Sequence, residues 1–181
     1  MTLWLVRHAL PLIDKGICYG QLDVSSDLVA TKACALELAE QLPNRIQVIT
    51  SPLQRCELLA KDLCWLKPDL VLKTESKLQE LNFGEWEGRP WADIPEAELT
   101  AWTNDFANHR AGGTGESTTQ FMVRVAAAFD ALDPAKDTLW VTHAGVIRAA
   151  TLIAQGVRHI ERADQWPVDA PSYGQWCKLK L

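Results

Sequence analysis

Arg7-His8 follows the apolar run Leu3-Trp4-Leu5-Val6, and His143 follows Leu139-Trp140-Val141-Thr142 in the same way. A neutral imidazole can attack phosphorus and form a phosphohistidine, which divides phosphoryl transfer into two displacements. His8 is the candidate nucleophile, and Arg7 a ligand for the phosphoryl oxygens. Arg55, in Ser51-Pro52-Leu53-Gln54-Arg55 behind Val48-Ile49-Thr50, is a second candidate ligand. In a first helical turn the macrodipole disfavours a cation, and a bound phosphate would remove the conflict. His143 stands before Ala144-Gly145 and a helix start, so its ring and the backbone N–H groups from Ala144 onward could converge on a phosphoryl oxygen. One carboxyl group that protonates the leaving alkoxide and later takes a proton from water completes the set. Glu80, Glu85 and Glu87 compete for that role on chemistry alone. Taken singly, each of these histidines and arginines is more often structural, and only their combination points to a site.

Residues so far apart in the chain meet only if the fold brings strand ends together, as an open α/β sheet does at its carboxyl edge. The pattern supplies such a sheet. Leu3 to Val6 reads as a buried strand, and Ser25-Ser26-Asp27 as the cap of a helix to about Gln41. Val48 to Thr50 is the next strand. Ser51 is the expected N-cap of the adjoining helix, with Pro52 in its first position and Cys56, Leu59, Ala60 and Leu63 on one face. Leu70 to Lys73 is a short strand. Periodicity then fades from about 81 to 115, a stretch with Pro90, Pro95 and Gly112-Gly113 that reads as a cap inserted over the sheet edge. A helix resumes near Glu116 with Phe121, Val125, Ala128, Phe129 and Leu132 on one face, followed by a strand Thr138 to Thr142 and a helix from about Val146. Tyr173 to Leu181 alternates as a final edge strand. The expected fold is therefore α/β, a single domain over residues 1–181 with a mostly parallel sheet, helices on both faces and a small cap at about 81–115.

With 181 residues, 48% hydrophobic, the chain can bury one core of good size. A net charge of −5 argues against nucleic acid or an anionic membrane as partner, so any anion must be caught locally. Apolar runs are short, and Arg7 and His8 interrupt the first one before it could serve as a signal peptide. A cytoplasmic protein is expected, and the five cysteines form no CxxC pair and read as reduced. His8, His109, His143 and His159 show no metal-binding spacing, and no Walker loop or GxGxxG is present, so neither metal nor cofactor is expected. Gly112-Gly113-Thr114-Gly115 reads as a flexible return from the cap.

Together Arg7-His8, Arg55, Glu80 and His143 resemble the catalytic set of the histidine phosphatase superfamily. The resemblance implies a phosphomonoesterase with His8 phosphorylated, Arg7, Arg55 and His143 holding the phosphoryl group, and Glu80 as proton donor. It is the resemblance that selects Glu80 over Glu85 and Glu87, through the segment Glu80-Leu81-Asn82-Phe83-Gly84-Glu85-Trp86-Glu87-Gly88. Three stretches, Cys18 to Val24, Phe83 to Trp91 and Gly115-Glu116-Ser117, are similar to α-ribazole phosphatases, which act in cobalamin nucleotide-loop assembly. The substrate so implied is a small phosphomonoester, with Trp86, Trp91 and Trp102 available to stack on a flat base. A broad-specificity phosphatase, a phosphoglycerate mutase and a non-catalytic binding protein on this fold are the alternatives. Mutases usually have longer caps and tails than this chain offers. The family usually has glycine after each catalytic histidine, whereas Ala9 and Ala144 stand here. At negative φ alanine keeps the amide for an oxyanion, but at positive φ its methyl group costs about 1 kcal/mol or more.

Overall fold

A computed structural model describes residues 1–181. Five strands, β1 (Thr2–Arg7), β2 (Gln47–Thr50), β3 (Val71–Thr74), β4 (Thr138–Thr142) and β5 (Trp176–Lys180), form one sheet in the order β3-β2-β4-β1-β5. All neighbours are parallel except β5, which closes one edge antiparallel to β1. Helices α1 (Leu28–Gln41) and α2 (Gln54–Leu66) cover one face, and α4 (Thr118–Asp130) and α5 (Ala144–Ala154) the other. The short helix α3 (Glu96–Asn104) belongs to the insertion between β3 and α4, whose Trp86, Ile94 and Ala111 form a small core with Cys18 from the loop between β1 and α1.

Side chains that alternate along the strands divide the main core in two. Leu3 and Leu5 pack with Phe121, Val125 and Ile147 on the α4–α5 side, whereas Trp4 and Val6 pack with Leu38, Leu59 and Leu63 on the α1–α2 side. Each such buried aliphatic side chain contributes about 1.5–3 kcal/mol. Because β1 and β4 are buried on both faces, they read in the sequence as continuous apolar runs.

Local side-chain chemistry sets the starts of two helices, α1 and α4. Asp27 caps α1, its carboxylate accepting the Ala30 N–H at 2.7 Å, and Ser117 with Gln120 forms a reciprocal capping box on α4. The expected cap of α2 fails: its N-cap is Leu53 rather than Ser51, and no side chain of the cap residue takes up an N–H. Asp23, far back in the chain, does so instead, accepting the Gln54 N–H at 2.8 Å. Ser51 Oγ accepts only the N–H of Leu53, at 3.4 Å, and its shorter contact is with another partner. The insertion also holds more regular structure than its sequence suggested, since α3 is short and buries no residue fully, which leaves no apolar periodicity to read.

Candidate active site

Register places the two histidines together. Arg7 lies opposite Thr142 in the parallel β1–β4 pair, so the next residues, His8 and His143, leave the sheet side by side with ring centroids 5.2 Å apart. Thr50 lies opposite Val141 across β2 and β4, so Ser51 leaves on the other side of His143, its Oγ 2.9 Å from Nε2. Arg55, in the first turn of α2, is fully buried, and Arg7 is half-buried.

His8 has one identifiable hydrogen-bond partner, the Ala9 carbonyl, 2.8 Å from Nδ1. A carbonyl only accepts, so Nδ1 carries the proton and Nε2 keeps its lone pair. Burial, reinforced by Arg55 and Arg7, holds the His8 pKa down at about 3. The imidazole is therefore neutral and nucleophilic across the physiological range. Burial followed by the charge of Arg55 likewise keeps His143 well below the ordinary histidine value.

Neither Arg7 nor Arg55 forms an ion pair. Arg55 donates to the carbonyls of Leu22 at 2.8 Å and Gly20 at 2.6 Å, and Arg7 to the carbonyl of Pro171 at 3.2 Å. The Nε of each is buried without a partner. Tyr173 stacks on Arg7, 3.8 Å from ring centroid to guanidinium, packs 5.5 Å from the His8 ring, and shares a 2.9 Å hydrogen bond with Tyr19. Two guanidiniums held without counterions beside a neutral imidazole make a site for a dianion.

The three glutamates differ in setting. Glu85 is exposed. Glu87 is spent on backbone, Oε1 accepting the N–H groups of Gln21 at 2.8 Å and Phe83 at 2.9 Å. Glu80 accepts the N–H of Leu81 through Oε1 at 2.9 Å and that of Gly145, in the first turn of α5, through Oε2 at 3.0 Å. It borders a cavity of about 240 Å³ walled by Phe83, Trp102, Phe106, Phe121 and Trp166, with Arg148 entering from α5.

Of the tryptophans expected to face a substrate, only Trp102 lines this cavity. Trp86 is buried in the insertion core with its indole N–H bonded to Glu98, and Trp91 packs against Trp86 and Phe83 away from the cavity. Sequence reasoning missed Trp166, Arg148, Tyr19, Tyr173 and the role of Ser51. Only Tyr19, inside the stretch Cys18 to Val24, stood near a motif. Ala9 and Ala144 carry no strain, because Arg45 is the one non-glycine residue at positive φ. The amide of Gly145 is taken by Glu80, while Ala144 begins α5 directly behind His143. No cluster of three or more histidine, cysteine or carboxylate side chains is placed to hold a metal ion, and no helix is long and apolar enough to cross a membrane.

A family model described as the histidine phosphatase superfamily, branch 1, matches residues 3–179. The chain is 29% identical over 164 residues to "Putative phosphoserine phosphatase 2" of Hydrogenobacter thermophilus, covering 86% of this chain and 79% of that one. The crystal structure of TTHB049 from Thermus thermophilus superposes with a TM-score of 0.74 at 27% identity, over 99% of this chain and 93% of the other. A mycobacterial glucosyl-3-phosphoglycerate phosphatase shares the fold, with a TM-score of 0.77 at 24% identity over 99% and 89% of the two chains.

Proposed function

The chain belongs to the histidine phosphatase superfamily, branch 1, and is a phosphatase; on that premise we propose that it hydrolyses α-ribazole 5′-phosphate through a phosphohistidine on His8. The observation that carries the chemistry is the pair Arg7 and Arg55, held without a carboxylate partner beside a neutral His8. In the first displacement the Nε2 lone pair of His8 attacks phosphorus and the bond from phosphorus to the ester oxygen breaks. Arg7, Arg55, His143 and the Ala144 amide take the charge on the non-bridging oxygens, and Glu80 gives its proton to the departing alkoxide. In the second, water attacks the phosphohistidine, Glu80 takes the proton back, and His8 leaves as the neutral ring.

The aromatic cavity beside Glu80 supports the substrate. Trp102, Trp166, Phe106 and Phe121 offer flat apolar faces where the leaving group must lie, suited to a dimethylbenzimidazole riboside. Arg148 favours a second reading. Its Nε is buried without a partner at the same cavity. A carboxylate on the leaving group, as in the phosphoserine named for the Hydrogenobacter relative, would complete it. Measuring kcat/KM for α-ribazole 5′-phosphate, phosphoserine, 3-phosphoglycerate and a nucleoside monophosphate decides between them. The aromatic reading predicts α-ribazole 5′-phosphate well ahead of the rest. A preference for the carboxylates that vanishes in Arg148→Gln would replace it with the second reading, and no turnover of any would overturn both.

A further inference from the structure

We propose that Arg124, held by Glu116, is a positioning residue for Glu80, a role that rests on Glu80 being the proton donor. Arg124 lies on α4, outside the phosphate site, yet three of its five guanidinium hydrogen bonds go to the segment that carries Glu80 and the other two to Glu116. Nη1 donates to the carbonyls of Lys77 and Gln79, both at 2.8 Å, and Nη2 to the carbonyl of Glu80 itself at 2.8 Å. The remaining two donors, Nε and the second N–H of Nη2, grip the Glu116 carboxylate at 2.6 and 2.8 Å in a fork-to-fork pair. Glu116 closes the far side of the loop, accepting the Asn82 N–H through Oε2 at 3.0 Å. Residues 77, 79, 80 and 82 are thus fixed from one planar group and its counterion. The pair also gives a physical reason for Glu116 in the Gly115-Glu116-Ser117 stretch, just ahead of the α4 cap.

Such a clamp sets where the Glu80 side chain starts. Gly145 and Leu81 hold the two carboxylate oxygens, Gln21 Nε2 shares the Glu80 carbonyl at 2.9 Å, and Arg124 fixes the chain before it. Lysine keeps the charge but offers three donors from a single nitrogen, so it cannot span both the three carbonyls and Glu116.

The test compares kcat/KM of wild type and Arg124→Lys on an alkyl phosphate, whose leaving group needs a proton, and on 2,4-dinitrophenyl phosphate, whose leaving group does not. The proposal predicts a loss of about tenfold or more on the alkyl ester and under about threefold on the activated one. Equal losses, or none, overturn it. Glu116→Gln, which keeps the side-chain shape, provides the same comparison should Arg124→Lys fail to fold. Glu80→Gln, measured alongside, separates two failures. If it shows the leaving-group preference and the clamp variants do not, only the clamp is wrong; if none of them shows it, Glu80 is not the acid and both readings fall.

Discussion

Glu80 and Gly145 are joined, far across the chain, by a 3.0 Å hydrogen bond from the Gly145 N–H to Oε2, and a Cβ at Gly145 would overlap Oε1 of the same carboxylate. This glycine is needed for space and not for its φ, which lies outside the left-handed region. The obstruction is the flexible end of a side chain, so the protein can yield by moving the carboxylate. Gly145→Ala should therefore fold, with stability unchanged or raised because alanine is the better helix former. Its kcat/KM on alkyl phosphates should fall by roughly 10²-fold or more, toward that of Glu80→Gln. A variant with wild-type rates would show that Glu80 need not stay where it is.

The buried histidines tie stability to pH. Unfolded His8 takes up a proton as pH falls through its ordinary value of 6.5, but folded His8 does not until about 3. Between those values the unfolded state binds more protons, so stability falls as pH falls, and His143 acts in the same direction. Each contributes at most about 1.4 kcal/mol per pH unit. Urea unfolding in phosphate-free buffer at pH 7 and pH 5 should show that loss, with a shallower slope in His8→Asn. Identical slopes in both proteins would mean that His8 is not held neutral by the fold.

Tyr173 stacks on Arg7 and packs on His8. A cation–π contact of this kind is worth about 0.5–2 kcal/mol. Tyr173→Ala should weaken competitive inhibition by inorganic phosphate roughly 2- to 30-fold on that basis, while leaving the relative rates on good and poor leaving groups unchanged. Tyr173→Phe, which keeps the stack and loses only the bond to Tyr19, should restore phosphate binding. Equal weakening in both variants would assign the effect to the hydroxyl pair instead.

The sheet and the residues brought together at its edge were legible because they are written in patterns that burial on both faces imposes. Leu3 to Val6 and Leu139 to Thr142 are continuous apolar runs, and the residues just beyond each run must emerge at the carboxyl edge. Register did the rest. The partners that belong to tertiary structure alone could not be read. Ser51 has the chemistry of a helix cap, but Asp23 took part of that task, and no local signal could say so. Trp86 and Trp102 look alike in sequence, yet one fills the insertion core and the other lines the cavity. Tyr173 reads in the sequence only as the start of the alternating edge strand, which the structure begins at Trp176, and it reaches the site because β5 runs back along β1.

A phosphoryl group that passes through His8 must be found there during turnover. The direct measurement is rapid alkaline quench of the enzyme with ³²P-labelled substrate, followed by peptide mapping of the acid-labile, base-stable label. Label is expected on the peptide that contains His8, formed and discharged fast enough to be on the pathway, and absent in His8→Asn, which should lose turnover. Label on His143 or on no residue during turnover, or full activity in His8→Asn, would contradict it.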